Sequence, residues 1–173
     1  MTVHDIRFLG DPVLREKAKR VPNIDASIHR LIEDMIDSMH AASGVGLAAP
    51  QIGVSLRVIV IGLPDEEPFA LINPEIVKRS GDRIVEEGCL SVPGYRTEKM
   101  KRSLSVVAKG LDASGKPIRV KGKDNLLAQA LEHEIDHING ILYVDHLESK
   151  DDLVKIEPEA ARRGRRGGPS GED

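Results

Sequence analysis

The chain has 173 residues, 40% of them hydrophobic and 31% charged, and its 25 basic and 28 acidic side chains leave a formal charge of −3. That length suits one domain whose core holds without disulfides, the near-neutral balance gives no global attraction to nucleic acid or membrane, and the single cysteine, Cys89, excludes an internal disulfide and fits a reducing compartment. Met1 to Gly10 shows no charged start followed by an apolar run, and the longest apolar stretch, Val58 to Leu63, is too short to span a bilayer, so a cytoplasmic address is expected, with neither membrane attachment nor specific DNA binding.

Ile28, Leu31, Ile32, Met35, Ile36 and Met39 recur at three- and four-residue intervals, which predicts an amphipathic helix over about Ala26 to Ala42. Asp25 or Ser27 suits its N-cap and Gly44 its end. Short Val- and Ile-rich runs follow: Leu56 to Ile61, Ile76 to Arg83, Ser103 to Lys109 and Pro117 to Val120. Turn residues such as Gly62, Pro64, Asn73, Pro74, Pro93, Gly94 and Gly115 separate them, and Leu111 to Pro117 reads as a hairpin connection. A second helix is predicted over about Asp124 to Asn139, with Asp124 as N-cap and Gly140 at the left-handed position after its end. A third, short helix is expected around Ser149 to Ile156. From Glu157 to Asp173 the chain reads EPEAARRGRRGGPSGED, with no apolar residue larger than Ala. Such a segment cannot bury enough surface to offset its ordering entropy, so residues 1–156 read as the domain and 157–173 as a disordered charged tail. Strands following strands, with helices at either end, predict an α+β fold with an antiparallel or mixed sheet.

His133-Glu134-Ile135-Asp136-His137 fits H-E-x-x-H. Residues four apart in a helix share a face with Cβ atoms about 5–6 Å apart, so two imidazoles there can bind one ion. Glu134 projects beside that ion and can take a proton from water held there. Leu126, Ala130, His133 and His137 lie on one helix face, so the histidines continue a partly apolar stripe rather than a solvated surface. The longer peptidase pattern H-E-x-x-H-x-x-G-x-x-H fails: Gly140 matches, but Tyr143 stands in the third histidine's place and His146 comes three residues late. Cys89 is the expected third ligand, because it sits in the shaped segment Glu86 to Gly94 and not in a core run. A thiolate and two imidazoles leave a fourth position open, as catalysis requires.

With these motifs in place, the sequence resembles the peptide deformylase family. The likeness is carried by GVGLAAPQIG (Gly44 to Gly53), EGCLSVPG (Glu87 to Gly94) and LEHEIDH (Leu131 to His137), in that order, with GDPVLREKA (Gly10 to Ala18) and GILYVDHL (Gly140 to Leu147) flanking them. It extends over about Ile6 to Leu153. The resemblance implies an α+β domain with the metal helix packed among antiparallel strands, and hydrolysis of the formyl group from N-terminal formylmethionine of nascent peptides. It implies Cys89, His133 and His137 as ligands of one divalent ion, Fe²⁺ in the first place with Zn²⁺ or Ni²⁺ as alternatives, and Glu134 as general acid and base. Gln51 and the Leu90 backbone N–H are implied as donors to the oxyanion. Val45 and Gly46, with Gly88 opposite, are implied as contacts to the peptide backbone.

The methionine side chain needs an apolar pocket, for which Val45, Val85, Leu126, Gln129 and Ala130 beside His133 are the candidates; Gln129 and Ala130 depart from the larger apolar residues often found in the family. Arg96 is expected near the mouth of the site, meeting peptide or pairing with Glu87, with a surface ion pair worth at most about 1 kcal/mol as the alternative. Two rivals stand beside this reading: a peptidase that cuts internal bonds, and a protein that keeps a structural metal. The arginines at 162, 163, 165 and 166 suggest either a solvated tail or weak ribosome contact.

Overall fold

The computed structural model describes residues 2–156. The first helix, α1, spans Ala26–Ala41, and the Asp25 carboxylate accepts from the Ser27 and Ile28 amides at its start. Its end departs from expectation. Ser43, not Gly44, adopts the left-handed conformation (φ 56). At Gly44 a Cβ would lie 2.9 Å from a terminal methyl of Leu90, so a larger residue there would displace that side chain.

Six strands follow: β1 (Gly46–Ala48), β2 (Val58–Ile61), β3 (Phe69–Gly88), β4 (Tyr95–Leu111), β5 (Pro117–Lys123) and β6 (Leu153–Lys155). They form one sheet in the order β1-β2-β3-β4-β5, with β6 added to the Tyr95 end of β4. Every strand pair is antiparallel, and the parallel feature among the described residues is an isolated bridge between Lys19 and Leu56. β3 and β4 run much further than the apolar runs suggested. Asn73-Pro74 is a bulge inside β3 and not a turn: Asn73 sits at φ 51 and the register shifts between Ile72 and Glu75. The Asn73 side chain accepts from the Val21 N–H at 2.8 Å and donates to its carbonyl at 2.9 Å. Tertiary bonds thus hold the irregular residue while the ladder continues.

The second helix, α2, spans Leu126–Ile138. Its N-cap is Asn125, whose side chain accepts from the Ala128 amide, and the expected cap Asp124 instead takes a left-handed conformation (φ 48). Gly140 has φ 76, and a Cβ on it would meet the Arg15 carbonyl at 2.6 Å, so both conformation and space demand glycine. The third helix does not form. Ser149 caps a 3-10 turn over Lys150–Asp152, and the chain then enters β6. Leu153 and Val154 find the edge of β4 opposite Thr97 and Arg96, and Leu153 packs with Val92, Met100 and Tyr143.

The layers explain why β2 is apolar at every position. Ile59 and Ile61 face α2 with Leu71, Val106, Ala108, Leu131, Ile135 and Ile138, whereas Val58 and Val60 face α1 with Ile28, Ile32, Met35 and Met39. A strand covered on both faces reads as a continuous hydrophobic run. Each such fully buried side chain contributes about 1.5–3 kcal/mol. The result is a sheet between two helices, with α2 cradled by β1, β2, β4 and β5. No described helix is long and apolar enough to cross a membrane. The expected tail, 157–173, lies outside the described residues.

Candidate metal centre

α2 is pinned at both ends, which fixes its histidines in space. At its start a Cβ on Gly122 of β5 would collide with the Ala128 amide at 2.5 Å, so strand and helix backbones touch there. At its end the Ala18 amide and the Arg57 guanidinium donate to the Ile138 carbonyl, at 2.9 and 3.0 Å. A cation at that terminus also complements the helix dipole. Between these anchors His133 and His137 project from one face, with ring centroids 5.0 Å apart.

β3 delivers Cys89 one residue past its end. The Cys89 sulfur lies 3.3 Å from His137 Nε2, a separation suited to two donors each about 2.0–2.3 Å from one ion. Donor atoms of Cys89, His133 and His137 all lie within 4.8 Å of one another, and this is the one such group of metal-binding side chains among the described residues. A sulfur and two imidazole nitrogens are a fitting donor set for a divalent transition metal. His133 presents Nε2 to the site because its Nδ1 is held at 2.9 Å by Glu87 Oε2. Tyr143 stacks on the His133 ring, with centroids 6.3 Å apart and planes 26° apart. His146 is not drawn in; it pairs with Asp136 at 2.8 Å.

Glu87 is 7% exposed, and so is a buried charge. Arg102 donates to Oε1 from Nε at 2.9 Å and to Oε2 from Nη2 at 2.6 Å, and Gln129 donates to Oε1 at 3.1 Å. Burial alone would raise its pKa, but the bonds from His133 and Arg102 prevail and bring it down to about 2. Glu134 is the opposite case. It is 4% exposed, and its Oε1 has no hydrogen-bond partner among the described residues. Burial raises its pKa to about 7. Burial depresses His137, helped by the charge on His133, while in His133 the neighbouring Glu134, Cys89 and Glu87 overcome the effect of burial and raise it. Gly46 of β1 lies against the Glu134 carboxylate so closely that a Cβ would overlap it.

Glu87, Cys89, His133 and Glu134 line a cavity of about 490 Å³. Val45, Gly46, Gln51, Gly88, Leu90, Leu126, Gln129 and Ala130 all line it, beside Cys89, His133 and Glu134. Gln51 is nearly inaccessible: its Oε1 accepts from the Ala48 amide at 2.9 Å, and its Nε2 donates to Ser91 Oγ at 3.1 Å and lies 3.7 Å from the Cys89 sulfur. No acceptor among the described residues takes the Leu90 N–H. Two expectations are corrected. Arg96 is not in the cavity wall and does not pair with Glu87, which is already taken by Arg102; it follows the surface ion-pair alternative instead, reaching Glu86 at 3.5 Å and Glu98 at 3.2 Å. Val85 packs with Val92, Met100 and Tyr143 behind the site. Arg102, Ser91, Tyr95 and Ile156 were not anticipated. Arg102 occupies an inward position of β4 in line with Met100, Val106 and Ala108, a pattern hidden when the strand is started at Ser103.

Comparison with known proteins bears on this geometry. The family model described as polypeptide deformylase matches residues 3–152. A peptide deformylase of Dehalococcoides mccartyi is 57% identical over 160 residues, covering 92% of this chain and 95% of the relative. The crystal structure of a peptide deformylase from Legionella pneumophila superposes with a TM-score of 0.82 at 43% identity, covering 97% of this chain and 100% of the other. That of Synechococcus elongatus, in complex with actinonin, also gives 0.82, at 41% identity over 86% of this chain and 81% of the other. The chain belongs to the polypeptide deformylase family, a family of metal-dependent hydrolases.

Proposed function

We propose that this chain removes the N-formyl group from N-terminal formylmethionine of newly made polypeptides, releasing formate. The observation that carries the proposal is Glu134, a buried carboxylate with an unpartnered oxygen that lines an open cavity together with Cys89 and His133, two of the three clustered donors Cys89, His133 and His137. A divalent ion on those donors would acidify water and polarise the formyl carbonyl. Glu134 takes the proton from the attacking water and passes it to the departing amine. Gln51 and the Leu90 N–H donate to the oxygen on which charge develops, each worth about 3–4 kcal/mol in the transition state. β1 is an edge strand, so its free side can receive the peptide as an added strand along Val45 and Gly46, with Gly88 across from them. Leu126 and Ala130 face the first side chain.

We assign Fe²⁺ as the working ion, with Zn²⁺ and Ni²⁺ as substitutes. A thiolate ligand beside Fe²⁺ makes activity sensitive to oxygen. Formylated nascent chains as substrate are the ground on which we assign the enzyme to the cytoplasm. The test is formate release from a formylmethionyl peptide by anaerobically purified, metal-analysed protein. An unformylated protein substrate should survive intact. Glu134→Gln should keep its metal and lose nearly all turnover. Normal turnover in that variant, or cutting of internal bonds, would refute the assignment.

A further inference from the structure

Gln129 lies one helical turn before His133 on α2 and lines the cavity. Its side-chain nitrogen donates to the Glu86 carbonyl at 2.8 Å and to Glu87 Oε1 at 3.1 Å. A primary amide has two hydrogens, so both are spent. Both acceptors stand at the end of β3, which runs through Gly88 into Cys89. Gln129 therefore ties the helix that bears two of the metal donors to the strand that bears the third.

The same bond completes the surroundings of Glu87. A carboxylate offers about four acceptor sites. Here they are filled by Arg102 twice, by Gln129 and by His133. Arg102 shares one oxygen with Gln129 and the other with His133. Without Gln129 the carboxylate keeps the Arg102 fork and the His133 ring but loses the α2 donor at Oε1, so the bond that sets Glu87, and through it the His133 ring, against the helix is gone. Partners of this kind commonly change metal affinity about 10- to 100-fold when removed.

We propose that Gln129 is a positioning residue of the metal centre, bracing β3 against α2 and completing the donor set on Glu87 so that His133 and Cys89 stay at ligand separation. The proposal rests on the metal-centre reading and not on the choice of substrate. Were Gln129 merely a piece of pocket wall, an apolar residue of the same size would serve, and only KM for the peptide would move.

The experiment uses Co²⁺-loaded holoenzyme, with Gln129→Leu, Gln129→Met and Gln129→Glu as variants. A chelator strips the ion, and the release rate is followed through the visible absorption bands. The Leu and Met variants should release Co²⁺ on the order of tenfold faster than the parent, with displaced bands. Gln129→Glu, which sets a carboxylate against Glu87, should be fastest. Release within twofold of the parent in both apolar variants would overturn the proposal. So would faster release with unchanged bands, which marks general loosening. The Met variant keeps volume and flexibility should Leu fold poorly. No formylated substrate is used, so an error in the proposed reaction would leave this result standing.

Discussion

Arg102 offers the sharpest test of how the centre is held. Its side chain is 3% exposed and lies between the side chains of Glu87 and Asp136, themselves 4% and 14% exposed. Replacing it with Met preserves much of the volume and strands both carboxylates. Asp136 retains His146 at 2.8 Å, so the heavier loss falls on Glu87, which keeps only His133 and Gln129. Removing one partner of a buried pair costs about 3–5 kcal/mol. For a domain of this size that corresponds to a fall in Tm of about 6–20 °C. The assay is thermal and urea unfolding of metal-free protein, so that metal binding does not mask the change. The double variant Arg102→Met with Glu87→Gln removes the stranded charge and should recover part of the loss, giving a coupling of at least about 0.5 kcal/mol in the mutant cycle. A single variant within about 1 kcal/mol of the parent, or a double variant no better than the single, would show that the buried charge is compensated elsewhere and would refute the reasoning.

Gly46→Ala should push the Glu134 carboxylate aside and lower kcat by about 100-fold or more while metal content stays at the parent's level, as read by metal analysis and steady-state kinetics. Gln51→Leu should lower kcat by roughly 10²- to 10³-fold with little change in KM; a larger effect on KM than on kcat would remove Gln51 from the oxyanion site. Asp145, which accepts from Arg15 at 2.6 Å, has a pKa lowered by that bond and by the Leu142 amide against the opposing effect of burial. A depressed carboxylate stabilises the fold above its ordinary value of 3.8 and loses that contribution as pH falls. Asp145→Asn should therefore cost up to about 1 kcal/mol at neutral pH, with the gap to the parent closing on acidification, as followed by urea unfolding at several pH values.

The elements that could be read from the chain were those whose cause is local. The α1 stripe, the H-E-x-x-H face and the apolar β2 run are periodic patterns, and a period survives without knowledge of partners. Strand ends did not survive, because their causes are distant: Asn73 stays in β3 through bonds to Val21, and Leu153 joins β4 rather than a helix because an edge and an apolar cluster await it. The candidate site divides in the same way. Cys89, His133 and His137 stand in short motifs with mechanical meaning. Arg102 stands in none, and its inward direction follows only from the full length of β4. Arg96 was one expected partner for Glu87, but the hairpin register places it across from Gly88.

Two carboxylates flank His133, and their surroundings drive them to opposite tasks. Glu87 receives donors at both oxygens and is held ionised with its pKa near 2. It can therefore serve as a fixed acceptor for His133 Nδ1–H, fixing which nitrogen faces the ion. Glu134 receives no donor at Oε1, lies against the Gly46 backbone and opens toward the cavity, with its pKa near 7. A group so placed can gain and lose a proton near neutral pH. Environments that separate the pKa values of neighbouring acids also separate their roles. On that ground we propose Glu134, and not Glu87, as the proton carrier, although both stand beside the same imidazole. The distinction follows from bond counts at four oxygen atoms, and it requires that Glu87→Gln weaken metal binding before it alters the proton step, with Glu134→Gln showing the reverse order.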